Sequence, residues 1–163
     1  MFRRAQGFTL LELLVVIVII GITVSFAVLS LGLQSPQAEL EEHARRIRAV
    51  MLLAGEEAVL QGQELAMQLD GRRYYFLGPK GKDWLRINDD RVLRERELPE
   101  HIRAELSIEG GFVTQGKAVT PRVVFFSSGE ITPFTLTLTS REAERAVSLS
   151  GDIQGVIKDD SNE

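Results

Sequence analysis

Hydrophobic and polar positions alternate in three different ways along the chain. From Phe8 to Leu33 almost every residue is apolar and Glu12 is the one ionisable group, so this stretch has no polar face. From residue 37 to about 61, Leu40, Ala44, Ile47, Met51, Ala54 and Ala58 recur at spacings of three or four, while Glu39, Glu41, Glu42, Arg45, Arg46 and Arg48 fall mostly elsewhere. That period predicts an amphipathic helix whose apolar stripe packs on a sheet. After Gly62, a natural helix stop, the pattern becomes strand-like.

Leu65 to Leu69 and Arg72 to Leu77 flank Asp70-Gly71, which predicts a hairpin with a tight two-residue turn. Gly78-Pro79-Lys80-Gly81 reads as the next turn, and short strands are expected at 84–87 and 102–108, around a charged run and Pro99. Val123 to Phe126 is a fully apolar strand, and Ser127-Ser128-Gly129 turns the chain. Phe134, Leu136 and Leu138 then alternate with threonines, and Val147 and Leu149 with serines, which is the period of half-buried strands. Pro36 is expected to kink or briefly interrupt the helix, because it lacks an amide hydrogen. The organisation is therefore a leader, 1–7; a membrane helix, 8–33; its amphipathic continuation, 34–62; and a β-rich domain, 63–163.

The 21 residues from Leu13 to Leu33 carry no charge. As a helix rising about 1.5 Å per residue they reach roughly 30 Å, the thickness of a bilayer's hydrocarbon core. Arg3 and Arg4 precede the run with no acid between them, which places the N-terminus in the cytoplasm. A cleaved secretory signal has a core of about 7 to 15 apolar residues and ends in a small-residue site, and this run is longer. Gly21, Ser25 and Gly32 are small enough for close helix contact in a bilayer, without forming a dimerisation motif.

Composition narrows the chemistry. The chain lacks cysteine, which excludes disulfides, thiol nucleophiles and cysteine-ligated metals. Its two histidines, His43 and His101, are far apart in sequence, and Ser127, Ser128, Glu130 and His101 have no spacing of a nucleophile and its base. A membrane-anchored periplasmic enzyme is therefore disfavoured, and no cofactor or metal is expected. Asp83, Asp89 and Asp90 lack the alternation of a calcium loop, and no phosphate-binding glycine pattern is present. The bases Arg45, Arg46 and Arg48 are interleaved with acids at offsets of three and four, as on a solvated, salt-bridged face. Beyond Leu33 the chain holds 17 basic and 22 acidic residues, a balance that disfavours nucleic acid.

Glu12 is the one costly residue in the apolar run, because a carboxylate in hydrocarbon requires a partner or a role. It lies in Gly7-Phe8-Thr9-Leu10-Leu11-Glu12-Leu13-Leu14-Val15, behind a short basic leader. This resembles the class III signal of type IV pilins and type II secretion pseudopilins. The resemblance implies cleavage between Gly7 and Phe8 by a prepilin peptidase, which also methylates the new amine of Phe8. Removing seven of the 163 residues leaves 156, with Glu12 as the fifth. It further implies that Glu12 meets the N-terminal amine of a neighbouring subunit and so sets register during assembly.

The second half strengthens the resemblance. Val-Val-Phe-Phe-x-x-x-Gly from Val123, the threonine-rich strand, and Val-Ser-Leu-Ser-Gly-Asp-Ile-Gln-Gly from Val147 are similar to the minor pseudopilin H group and its fimbrial relatives. Residues 78–118 carry none of this likeness. The implied fold is α+β and pilin-like: a long N-terminal helix, its first half transmembrane, packed against antiparallel sheets. The implied function is a minor pseudopilin of the type II secretion pseudopilus, anchored by a single pass in the bacterial inner membrane with its C-terminal domain in the periplasm. Its implied partners are the prepilin peptidase, other minor pseudopilins at the tip, the major pseudopilin and the inner-membrane assembly platform. The alternative within this architecture is a minor pilin of a type IV pilus, possibly one that binds DNA.

Overall fold

The structure is a computed structural model that describes residues 9–30, 35–109 and 121–160. It separates into two units, Met1–Gln34 and Ser35–Glu163. In the first unit, α1 spans Leu10–Ser30, a 21-residue helix with Glu12 in its first turn. Among the described residues no helix is long and apolar enough to cross a membrane. Side chains in α1 are described only to Thr23, short of the Leu33 at which the span is expected to end.

The second unit opens with α2, Pro36–Gln61. The expected interruption is present at Ser35, which is not helical, and Pro36 begins α2 after it and does not kink a continuous helix. Proline at the first helical position has the right φ and needs no amide partner, and the Ser35 hydroxyl accepts from the Ala38 amide at 3.2 Å as N-cap. Gly62 ends the helix with φ 62°, and the amides after the last turn return to the Ala58 and Val59 carbonyls. The buried face is Leu40, Ala44, Ile47, Val50, Met51, Ala54 and Ala58, the stripe expected from the spacing with Val50 added.

Two antiparallel sheets receive that face. The first contains β1 (Leu65–Asp70), β2 (Arg73–Lys80), β3 (Asp83–Arg86), β4 (Arg96–Glu97) and β6 (Arg122–Phe125), ordered β3-β2-β1-β6 with β4 paired to β2. The second contains β5 (Ile102–Ile108), β7 (Phe134–Ser140), β8 (Val147–Gly151) and β9 (Ile157–Asp159), ordered β5-β7-β8-β9. One continuous core joins α2 to both sheets through Met67, Phe76, Phe125, Phe134, Leu138 and Leu149, all buried. That core lies wholly within the second unit, as independent folding of a domain requires.

Two turns differ from the sequence reading. The first hairpin turns at Gly71-Arg72, with Asp70 paired to Arg73 as the last strand residue, and Gly71 alone supplies the positive φ. Strand β2 runs through Gly78 and Pro79, because both pair with β3, and the turn falls after Lys80 at Gly81. The two-residue strand β4 and the short β9 carry too little pattern to be recognised in sequence.

Among the described residues Thr132 is the one buried polar residue, and it pairs with the free edge of β6. The Val124 carbonyl accepts from the Thr132 amide at 2.9 Å, and the Val124 amide donates to the Thr132 hydroxyl at 3.2 Å. Thr132→Val keeps the volume but leaves the Val124 amide without its acceptor, which costs about 1 to 3 kcal/mol. Urea unfolding of residues 35–163 checks this, and an unchanged midpoint would refute it.

Candidate functional site

The N-terminal motif is described from Thr9 onward; Gly7 and Phe8 lie outside the described residues, as does Gly32. Thr9 begins α1. Its carbonyl accepts from the Glu12 and Leu13 amides at 3.1 and 3.2 Å, and its hydroxyl also accepts from the Glu12 amide at 3.2 Å. Thr9-x-x-Glu12 therefore has the spacing of a capping box, and Glu12 sits at the third helical position, where the positive end of the helix dipole favours a carboxylate. Around it Leu10, Leu11, Leu13, Leu14 and Ile17 are exposed. Farther along, the Thr23 hydroxyl donates to the Ile19 and Ile20 carbonyls at 3.0 and 2.9 Å, so a polar group is satisfied inside the helix itself. From Leu10 to Thr23, α1 thus presents an apolar surface with one acid at its start.

On the second unit the charged face of α2 is paired as its spacing implies. Glu42 receives Arg45 at 3.0 Å and Arg46 at 2.8 Å, and the hydrogen bond from Arg46 holds its carboxyl below the ordinary range. Arg48 departs from the solvated face: its guanidinium donates to the Ile157 carbonyl at 2.8 Å and ties α2 to β9. Gln37 accepts from the Arg145 amide at 3.2 Å, which ties the same helix to the loop after β7.

His43 and His101, distant in sequence, meet at one carboxylate. Glu39 lies 4.0 Å from His43 and 3.3 Å from His101, an arrangement that depends on how the segment before β5 packs on α2 and leaves no local signal in sequence. Burial, reinforced by Arg46 and His101, lowers the His43 pKa against the opposing pull of Glu39 and Glu42. The three aspartates do not converge in this way: Asp83 lies in β3, and one Asp90 oxygen accepts from the Val92 and Leu93 amides at 2.6 and 2.7 Å. Those backbone bonds lower the Asp90 pKa and identify it as a turn-forming residue.

The motif glycines of the second half have a shared geometric reason. Gly129 and Gly155 both have positive φ, 90° and 84°, in turns closed by Phe126 donating to the Glu130 carbonyl and Asp152 to the Val156 carbonyl. The turns abut, because a Cβ on Gly155 would lie 2.6 Å from the Gly129 carbonyl oxygen. With Met51, Gly55 and Val59 of α2 they border an open, mostly apolar recess of about 500 Å³.

The sequence matches two families. Residues 43–155 match Type II transport protein GspH, and residues 2–33 match the prokaryotic N-terminal methylation motif. The chain belongs to the type II secretion H family of minor pseudopilins. Type II secretion system protein H of Pseudomonas aeruginosa is 35% identical, with 92% of each chain covered. The Aeromonas hydrophila protein of that name is 30% identical over 87% of this chain and 85% of its own. The structure of the minor pseudopilin EpsH from Vibrio cholerae aligns with a TM-score of 0.64 at 25% identity, covering 77% of this chain and 99% of EpsH. The solution structure of Escherichia coli GspH aligns at 0.61 and 19% identity over 81% of this chain and 98% of its own, and so shares the fold. The expected α+β pilin-like architecture is thereby established.

Proposed function

We propose that this H-type pseudopilin is inserted in the inner membrane through the apolar run ending at Leu33, with its N-terminus cytoplasmic and the unit beyond Ser35 periplasmic. A prepilin peptidase cuts between Gly7 and Phe8 and methylates the Phe8 amine. The mature helix then enters the pseudopilus, where Glu12 pairs with the amine of a neighbouring subunit and fixes register. The work is assembly that drives export of folded proteins, with other minor pseudopilins, the major pseudopilin and the inner-membrane platform as partners.

The observation that carries this reading is the apolar α1 with its single acid placed in the first turn, under the matched methylation motif. A glycine before the cut lets the protease approach the backbone closely. In low dielectric an amine and a carboxylate attract strongly, while desolvation takes back much of the gain, so the pair specifies register more than it adds affinity. Intact mass and N-terminal sequence of the full chain, co-expressed with a prepilin peptidase, test the reading. The expected product is a 156-residue chain beginning at methylated Phe8, after loss of seven from 163. Retention of Met1 beside an active peptidase would remove the assembly reading.

A further inference from the structure

We propose that the free edge of β5 pairs antiparallel with the same edge of a second copy of this chain, joining two second units through one continuous sheet. Among the described residues β5 is the longest sheet edge without a partner strand, seven residues against four in β3 and three in β9, while the edge of β6 is taken by Thr132. Its register with β7 is unbroken from Ile102 to Ile108, so it holds no bulge, and it contains no proline. Bulges and prolines are among the devices by which a sheet edge refuses another strand.

The backbone groups of β5 sort into two sets. The Glu109 amide donates to the Pro133 carbonyl at 3.1 Å, in register with the pairing of Ile108 and Phe134. Hydrogen-bonded positions alternate along an antiparallel pair, so Ser107, Glu105 and Arg103 direct their backbone groups to β7, and Ile108, Leu106 and Ala104 direct theirs to the open side. Ile102 agrees with this parity, since its amide is spent on the Pro99 carbonyl at 3.0 Å and not on β7. The side chains alternate too: Ile102, Ala104, Leu106 and Ile108 pack on the core, whereas Arg103 and Glu105 are exposed. Among the described residues no ion pair engages either of these two charges.

A symmetric antiparallel pair sets residues of the same face opposite each other. With Ala104 facing Ala104 of the second copy, Arg103 falls opposite Glu105, Glu105 opposite Arg103, and Ile102 opposite Leu106. The charged positions are then non-hydrogen-bonded pairs, whose Cα atoms come to about 4.5 Å and whose side chains are closest. Sliding one step along the strand sets Glu105 against Glu105 in one direction and Arg103 against Arg103 in the other, and like charges directly opposite repel. Charge therefore selects one register, and an edge complementary to itself assigns a second copy as the occupant.

Residues 35–163 serve for the test, because without the apolar α1 any association is independent of the membrane and processing reading. Sedimentation equilibrium is expected to show a concentration-dependent dimer. Arg103→Glu and Glu105→Arg, both on an exposed face, should leave the urea midpoint near that of the parent and each weaken the dimer by about fivefold or more, since attractive cross-strand pairs become repulsive. Mixing the two variants should restore it, because one copy then carries acid at both positions and the other carries base at both. Amide exchange at Ala104 and Leu106 should slow as concentration rises. A parent that stays monomeric at about 1 mM, single variants that dimerise as the parent does, a mixture no better than its components, or exchange at Ala104 and Leu106 that ignores concentration would each overturn the pairing.

Discussion

Gly151→Val is expected to unfold the second unit, and Gly151→Ala to destabilise it by about 1 to 3 kcal/mol, the usual cost of overpacking a filled core. In the β7–β8 pairing Gly151 stands directly opposite Phe134, and the ring lies over the glycine. A Cβ there would be 2.2 Å from Phe134 Cε1 and 2.9 Å from Ile131 Cδ1, inside any real contact distance. Neither neighbour can swing into solvent, because Phe134 and Ile131 are buried at 2% and 3% exposure. An aromatic ring covering a bare cross-strand glycine is a known way to complete a sheet. Against a total stability of about 5 to 15 kcal/mol, the valine's two further methyl groups remove most of the margin. Urea unfolding of residues 35–163 measures the alanine variant, and soluble yield with the near-ultraviolet signal reports the valine one. Phe134→Leu combined with Gly151→Ala should cost less than the sum of the two changes, since the smaller side chain vacates the contested space. Strict additivity would show that the ring and the glycine are not in conflict.

Gly151 also shows what the sequence disclosed and what it withheld. The alternation Val147-Ser148-Leu149-Ser150 made the strand legible, since period two survives without tertiary information. Nothing local says that residue 151 faces Phe134, because register is a property of the pair of strands. The stripe from Leu40 to Ala58 was legible for the same reason of period, whereas Arg48 looked like its charged neighbours until β9 was placed beneath it. Pro36 was legible as an interruption, and the Ser35 cap shows which of its two meanings holds, a fresh helix start and not a kink within one helix. His43 and His101 needed the packing of α2 on the segment before β5 to bring them together. The N-terminal motif, by contrast, is a linear pattern, and the match to the prokaryotic N-terminal methylation motif over residues 2–33 needs no tertiary contact to be found.

Glu12→Gln is expected to be cleaved, methylated and inserted normally, yet to lose at least tenfold in recovery with neighbouring subunits, as Glu12→Val does. The pair of variants separates the helix-start role that the structure shows for this residue from the register role proposed for it. As the third residue of α1, after Thr9 at the cap, Glu12 is in position to support the helix start. Glutamine serves that local role as well as glutamate, since a capping box accepts either. Valine serves neither role, but it removes a charge whose burial costs about 2.5 to 3.5 kcal/mol at the bilayer centre, so insertion is not impaired. If Glu12 acts through helix capping, glutamine restores assembly and valine does not. If it acts through charge on a neighbour's amine, both fail alike, and the defect appears after processing. Gly7→Leu supplies the reference for failure before that step, leaving uncleaved precursor in the membrane. Pull-down of the tagged subunit from membranes holding the other pseudopilins, scored with the state of the N-terminus, distinguishes these outcomes. Full assembly of the glutamine variant would assign Glu12 to the helix and leave register to some other contact.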